Sequence, residues 1–413
     1  MIKKKLFRAE NLFVVKDKGG NMASNSIKKF EKSLLKGSLK KCGFEWWRLV
    51  TNAFSKVSGE ERTFFFEFYI VNPALSPDKC LFNTKTLAQK TDEELFQALT
   101  EGQNIEEAND ENPLKSPCFV MVKAGDFQNK GKQINAFFTP EILESGKGDF
   151  ILKLGHDTKT SCMLGSDFTQ GVVQVTRAKL KEMPVLDCNV GTIGWNMKFD
   201  HAIDFDESYQ SRMTNYCVLG GKILCSGSIV FDGEEFVVNR DKSFAFYDKT
   251  WGKKFPEPYF HVSSNNFISQ ISGKKLLNSS LVIHGEFENK LSVLFCNEGE
   301  ISEFKAQDSS KVELSYECFE VTDDPKNIKL HWTVSVSDKK QVLDIDVFSL
   351  TKNMLLRNYQ CAEGKQKLLK ILSSAEGIGE IRLYKKVKKN LELIEHARIS
   401  NALCEYGGVE DAE

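Results

Sequence analysis

One stretch of this 413-residue chain concentrates residue types that do chemistry: SFAFYDKTWGKKFPEPYFHVSSNNF, residues 243–267. Side chains alternate between the two faces of a strand. Phe244, Phe246, Asp248 and Thr250 then share one face, and Tyr247, Lys249 and Trp251 share the other. If the first face lines a cavity, Asp248 is a carboxylic acid among phenyl rings, where desolvation raises its pKa and keeps a proton ready to be donated. Lys249 then points away, toward solvent or a partner carboxylate. The structural alternative makes Asp248 and Lys249 a strand-end pair, or a cap for the turn at Gly252, with Trp251 plugging a barrel end. One strand later Tyr259, His261, Ser263 and Asn265 alternate onto a face that can line the same cavity. A single His in a strand is more often a hydrogen-bonded core residue than a catalyst. Trp46, Trp47, Trp195 and Trp332 read as core fillers, since large aromatics dominate burial in any barrel.

Other chemistries find no support in the spacing. There is no Walker A loop, no H-E-x-x-H and no G-x-S-x-G, and EGIGE at 376–380 lacks the spacing of a dinucleotide fingerprint. The six histidines include no close pair, and the eleven cysteines contain no C-x-x-C. No metal and no cofactor are therefore expected. Scattered single cysteines in odd number, with no signal-peptide pattern at the start, suggest small buried hydrophobes in a reducing compartment, so the expected location is cytoplasmic.

The elements that must position these residues are strands. From Phe44 onward the chain runs in short segments rich in Phe, Val, Ile and Tyr, such as RTFFFEFYIV, CFVMVKAG and IKLHWTVSV, separated by Gly, Asn, Asp and Ser clusters. About seventeen such segments and almost no helical period predict an all-β fold. That number is too large for one small barrel, so two antiparallel β-barrel or sandwich domains are expected, 42–190 and 191–406, with the boundary at Pro184–Thr192 and a polar, frayed tail at 407–413. Residues 101–117 read as an acidic surface loop, and Thr91–Leu99 as a short helix.

Lys plus Arg number 56 against 57 Asp plus Glu, which argues against a basic nucleic-acid binder, and no apolar run is long enough to span a bilayer. The charge is polarised, however: residues 1–41 carry a net +9. Within them Ile27, Phe30, Leu34 and Leu35 fall at helical spacing among lysines. This is either a basic amphipathic helix for peripheral contact with an anionic membrane or a helix packed on its own domain. The sequence gives no signal for oligomeric state.

Tyr247-Asp248-Lys249-Thr250-Trp251-Gly252, followed by Phe255-Pro256, resembles the signature of the tocopherol cyclase and carotenoid hydratase superfamily. The resemblance continues in FEWW at 44–47, in Asn72 to Leu75, in Met354 to Tyr359, in Gly379 to Tyr384 and in Cys404 to Gly407. Thr250 stands where the bacterial relatives usually carry Asn, and Leu372 to Gly379 lacks the Trp and Asn that are common there.

The resemblance implies two lipocalin-like β units, an apolar cavity and acid-catalysed cyclisation or hydration of an isoprenoid or prenylated phenol. Such chemistry makes a tertiary carbocation, which requires a buried protonated carboxyl, aromatic faces and exclusion of water. On this reading Asp248 is the proton donor, with Lys249 out of reach and no cation neutralising the acid. Tyr247, Trp251, Phe244, Phe246, Tyr259, His261 and Asn265 contact the substrate. A noncatalytic lipocalin-like protein that holds a hydrophobic ligand fits the same cavity and needs no acid.

Overall fold

The computed structural model describes residues 29–75, 100, 117–146, 150–155, 161–182, 187–206, 208–306, 312–322, 327–364 and 367–411. Thr91–Leu99, almost all of 101–117, and Ile27 with the rest of the first 28 residues lie outside these. The described chain is all-β: a 13-stranded and a 12-stranded antiparallel sheet, two units packed against each other.

The first sheet runs from the strand Phe44–Ser55 to the strand Ala245–Gly252, and the second from Tyr259–Ser264 to Asn390–Asp411. The divide therefore falls between Gly252 and Tyr259 rather than near residue 190. Gly191–Ile203 pairs with Phe168–Val175 on one side and Thr214–Phe231 on the other, all within the first sheet. The turn-forming composition of 184–192 marks a chain reversal between neighbouring strands, and composition alone does not distinguish that from a change of domain. As a consequence the motif spans the junction, with Asp248 on the last strand of the first unit and His261 on the first strand of the second.

The C-terminus also departs from the expected frayed tail. Asn390–Asp411 stays paired to its end, with Gly407 to Asp411 opposite Ile371 to Lys367. Backbone pairing does not need apolar side chains, and Lys370 forms an ion pair with Glu410 at 2.9 Å. Near the N-terminus, Phe30 and Leu35 are buried against the core of the first unit, and Leu34 is half-buried. The described part of the basic segment thus packs on its own fold.

Each unit curls around its own core. Trp47, Leu49, Phe66, Trp195 and Tyr247 meet in the first, while Phe260, Phe295, Trp332 and Ile345 meet in the second. The outer faces of the central strands are buried as well, because the two sheets stack. Along Phe44–Ser55 the odd residues Trp47, Leu49 and Ala53 enter the first core, while Phe44, Trp46 and Val50 pack in clusters shared with the second sheet. A strand buried on both faces reads as a continuous apolar run. A single charged residue inside such a run is costly unless it finds a partner across the seam.

Candidate functional site

The seam supplies those partners. On the first sheet Lys123, Glu67, Arg48 and Asp248 sit directly opposite one another on four neighbouring strands, forming one row across the sheet. On the second sheet Ser373, Glu405, His261 and His284 form a matching row. All eight side chains are buried.

Arg48 joins the rows. Its Nε and Nη2 donate to the two carboxylate oxygens of Asp248 at 3.1 and 2.6 Å, and its Nη1 donates to Glu405. Nη1 also lies 3.4 Å from the Tyr259 hydroxyl, and Nη2 lies 3.4 Å from His261 Nε2. Arg357 repeats the pattern, donating to Glu405 Oε1 at 3.0 Å and to Glu67. Tyr359 donates to Glu67 Oε2 at 2.7 Å, Tyr216 to Asp248 at 3.1 Å and Ser373 to Glu405 at 2.9 Å. The result is an alternating chain, Asp248–Arg48–Glu405–Arg357–Glu67, with a carboxyl at each end.

Three carboxyls against two guanidiniums leave one negative charge in excess at low dielectric, where it is expensive. A proton on one carboxyl removes it, and so does a cation nearby. Burial pushes Asp248 above the usual aspartate value, opposed by the pull of Arg48. Arg48 itself is held charged: its carboxylate partners outweigh its burial. The condition that no cation neutralises Asp248 is therefore not met, because the residue directly across the strand pair is an arginine.

Lys123, at the other end of the row, donates to the Asn358 carbonyl at 3.1 Å and lies 4.1 Å over the Tyr359 ring. Burial, reinforced by Arg357, lowers its pKa to about 8. A lysine whose folded pKa lies below its ordinary 10.5 binds fewer protons folded than unfolded between those values, so stability rises with pH across that window. Lys123→Met is expected to remove this dependence. Urea midpoints measured from pH 7.5 to 10.5 should rise for the parent protein relative to the variant, and parallel curves would refute the assignment.

The motif residues divide between two faces. Lys249 points away from Asp248 and pairs with the buried Glu45 at 2.6 Å, while its Nζ donates to the carbonyls of Phe30 and Lys32, both at 2.7 Å. It thereby anchors the segment before the first strand. Tyr247 and Trp251 lie on this same face, in the core of the first unit, away from the ionic row. Tyr259, His261 and Phe246 gather around Arg48, with the Phe246 and His261 rings 5.5 Å apart. Phe244, Phe246, Ser263 and Asn265 wall a small cavity in the seam, about 20 Å³, together with Val50 and Leu403.

His261 and His284 face each other Nδ1 to Nδ1 at 3.2 Å. Burial, with Arg48 nearby, pushes both imidazoles well below their usual pKa, so they are neutral and one donates to the other. Tyr216 stacks on His284 at 3.9 Å. Among the described residues no group of three or more His, Cys, Asp or Glu is placed to hold a metal, and no helix is long and apolar enough to cross a membrane.

Sequence reasoning missed Arg48, Glu67, Tyr216, His284, Arg357, Glu405 and Lys123. The signal was present for five of them. Each of Arg48, Glu67, Lys123, Arg357 and Glu405 is the one charge inside an apolar run: WWRLV, TFFFEFYIV, FVMVKAG, MLLRNYQ and NALCEYG.

Fold and site together define an all-β protein of two antiparallel β units with a buried, titratable centre at their seam. Solved structures that resemble it include a candidate AttH from Nitrosomonas europaea, at TM-score 0.40 and 8% identity over 87% of this chain and 92% of that one. Kievitone hydratase from Nectria haematococca matches at TM-score 0.40 and 11% identity, over 90% of this chain and 93% of that one. No protein-family model matches the chain, and no curated protein matches it in sequence.

Proposed function

We propose that the chain is an acid–base catalyst of the tocopherol cyclase-like type, acting on the double bond of an isoprenoid or prenylated phenol at the seam. The observation that carries this reading is a buried carboxyl, Asp248, with a raised pKa, on the same strand face as Phe246, which with Phe244 helps to wall the seam cavity. Protonated Asp248 gives its proton to an alkene carbon, and the resulting tertiary cation meets the phenyl faces. A phenolic oxygen captures the cation and its proton returns to Asp248, so the net change is an isomerisation; capture by water instead gives hydration, with one proton of that water returning to Asp248. Arg48 and Tyr216 hold the carboxylate left behind, which makes Asp248 a stronger acid than an isolated buried carboxyl would be.

The ionic chain that joins the two sheets also suits a second reading, a noncatalytic binder in which it only locks the units together and the ligand enters the seam cavity. At about 20 Å³ it has room for a single water-sized group, so an isoprenoid enters only if its walls move. Incubating the purified protein with a panel of prenylquinols and carotenoid precursors separates the two. Product formation supports the catalyst, and recovery of unchanged lipid with the protein supports the binder.

Peripheral membrane contact by the basic segment is part of the same proposal, as a route to a lipid substrate. Because Phe30 and the carbonyls that Lys249 binds belong to the fold, the test removes residues 1–28 only. Binding to vesicles containing phosphatidylserine is expected to fall, each Lys or Arg contributing about 1 kcal/mol near such a surface. Unchanged binding would exclude this role.

A further inference from the structure

Beside the seam cavity lies a surface cleft of about 180 Å³, and Thr63, Ala375 and Asn401 line both. A larger cleft near Leu180 and Met354, about 450 Å³, shares no lining residue with the seam cavity. The smaller cleft is therefore the cavity's neighbour toward solvent, and the three shared residues form the constriction between them.

Strand period puts cleft, cavity and ionic row in line. Along the strand Glu61–Val71 the alternate residues Glu61, Thr63, Phe65 and Glu67 share one face. Glu61 and Thr63 line the cleft, Thr63 also lines the cavity, and Glu67 belongs to the ionic chain. Across the seam Asn401, Leu403 and Glu405 follow in the same order on Asn390–Asp411. Phe244 and Phe246, in the cavity, lead likewise to Asp248. From Thr63 to Glu67 the depth is roughly 13 Å at the usual rise of a strand.

The rim of the cleft is shaped by a break in the ladder. The strand Lys367–Val387 loses register with Asn390–Asp411 between Ser374 and Gly377, which leaves Ala375 and Glu376 without cross-strand partners. A bulge of this kind re-aims side chains, and here both residues line the cleft. Glu376 accepts from Asn353 Nδ2 at 2.9 Å. On the first sheet Glu61 accepts from Nδ2 of Asn52, a cavity-lining residue, also at 2.9 Å.

We propose that ligand reaches the ionic row by this track: in through the 180 Å³ cleft, past a gate made by Thr63, Ala375 and Asn401, and along the seam cavity to Asp248. That the ligand is a substrate rests on the acid–base reading above, whereas the track and its gate rest on register and cavities alone. Thr63 is the gate's adjustable member, since it is half-buried on a regular strand while Ala375 is buried in the bulge.

The test uses the full chain carrying Leu403→Cys, which puts a thiol on the cavity wall and makes room for an adduct. Methyl methanethiosulfonate, a small uncharged reagent, is added at pH 8, and labelling at position 403 is followed by mass spectrometry. Adding Thr63→Trp should slow this labelling by about tenfold or more, a rise of about 1.4 kcal/mol in the barrier to passage. Leu180→Trp, in the unconnected cleft, should leave the rate unchanged. Loss of stability exposes buried thiols and speeds labelling, so a slower rate reports a block. Labelling as fast with Thr63→Trp as without it, or slowed equally by Leu180→Trp, would overturn the track. Where Leu403→Cys does not fold, Val50→Cys offers a thiol from the other sheet, and Gln128→Trp, which lines the cleft only, replaces Thr63→Trp. In the otherwise unaltered protein Thr63→Trp should also lower kcat/KM for any substrate the panel identifies. Slowed labelling in a protein that turns over nothing keeps the track and removes the acid–base reading, and turnover that survives Thr63→Trp unchanged removes the track.

Discussion

Asp248→Asn is expected to abolish turnover of whichever prenylated phenol or isoprenoid the substrate panel identifies, by about 10²–10⁴-fold, the usual contribution of a general acid. The protein should nonetheless fold. Asn keeps the shape of the side chain, and removing a terminal carboxyl leaves Arg48, Glu405, Arg357 and Glu67 as two cations and two anions in alternation. The parent should show the matching pH dependence. Asp248 must carry a proton to act, and its pKa is raised, so kcat/KM is highest on the acid side and falls as pH rises through that pKa. A variant that keeps its activity, or that loses stability while activity per folded molecule is unchanged, would make Asp248 structural and favour the binding-protein reading.

The largest stability effect is expected from Arg48→Met. Arg48 is 1% exposed and holds carboxyls from both sheets, so its removal leaves Asp248 with Tyr216 as its only remaining hydrogen-bond partner at the site and takes one of two cations from Glu405. Breaking a buried ion pair from one side costs about 3–5 kcal/mol. Its pH dependence has a definite sign. Without Arg48, burial raises the folded pKa of Asp248 still further. A carboxyl with a raised folded pKa contributes stability that is fully present below its unfolded value and is lost as pH rises through the folded one. The deficit of Arg48→Met should therefore be large at pH 7.5 and smaller at pH 5, as read from urea midpoints. Adding Asp248→Asn to Arg48→Met should restore part of the loss at pH 7.5. Equal deficits at both pH values would show that the loss is one of packing alone.

The all-β class and the two units were legible because they rest on local pattern: runs of Phe, Val, Ile and Tyr cut by turn residues leave little choice of element. The facing of the motif was legible for the same reason. Alternation separated Asp248 and Phe246 from Lys249, and left Lys249 either solvent or a partner carboxylate; the structure shows the second, Glu45. Tyr247 and Trp251, on the Lys249 face, were still assigned to the substrate, although alternation places them with the first core. The boundary between units was misplaced because a turn between strands of one sheet and a link between two sheets use the same residues.

What the sequence by itself determined is thus the period of each strand, and with it which residues share a face. It also marked the lone charges in apolar runs, whose burial obliges them to find partners. What only the tertiary structure decided is which partners they found. Register aligns Lys123, Glu67, Arg48 and Asp248 across four strands, and stacking of the sheets brings Glu405 and Arg357 against them from more than a hundred residues away in sequence. Coulomb energy depends on distance in space, and separation along the chain carries no information about it. A candidate proton donor could be read from residues 243–267, but the arginine that sets its acidity could not, because Arg48 and Asp248 become neighbours only when the first and last strands of the first unit pair.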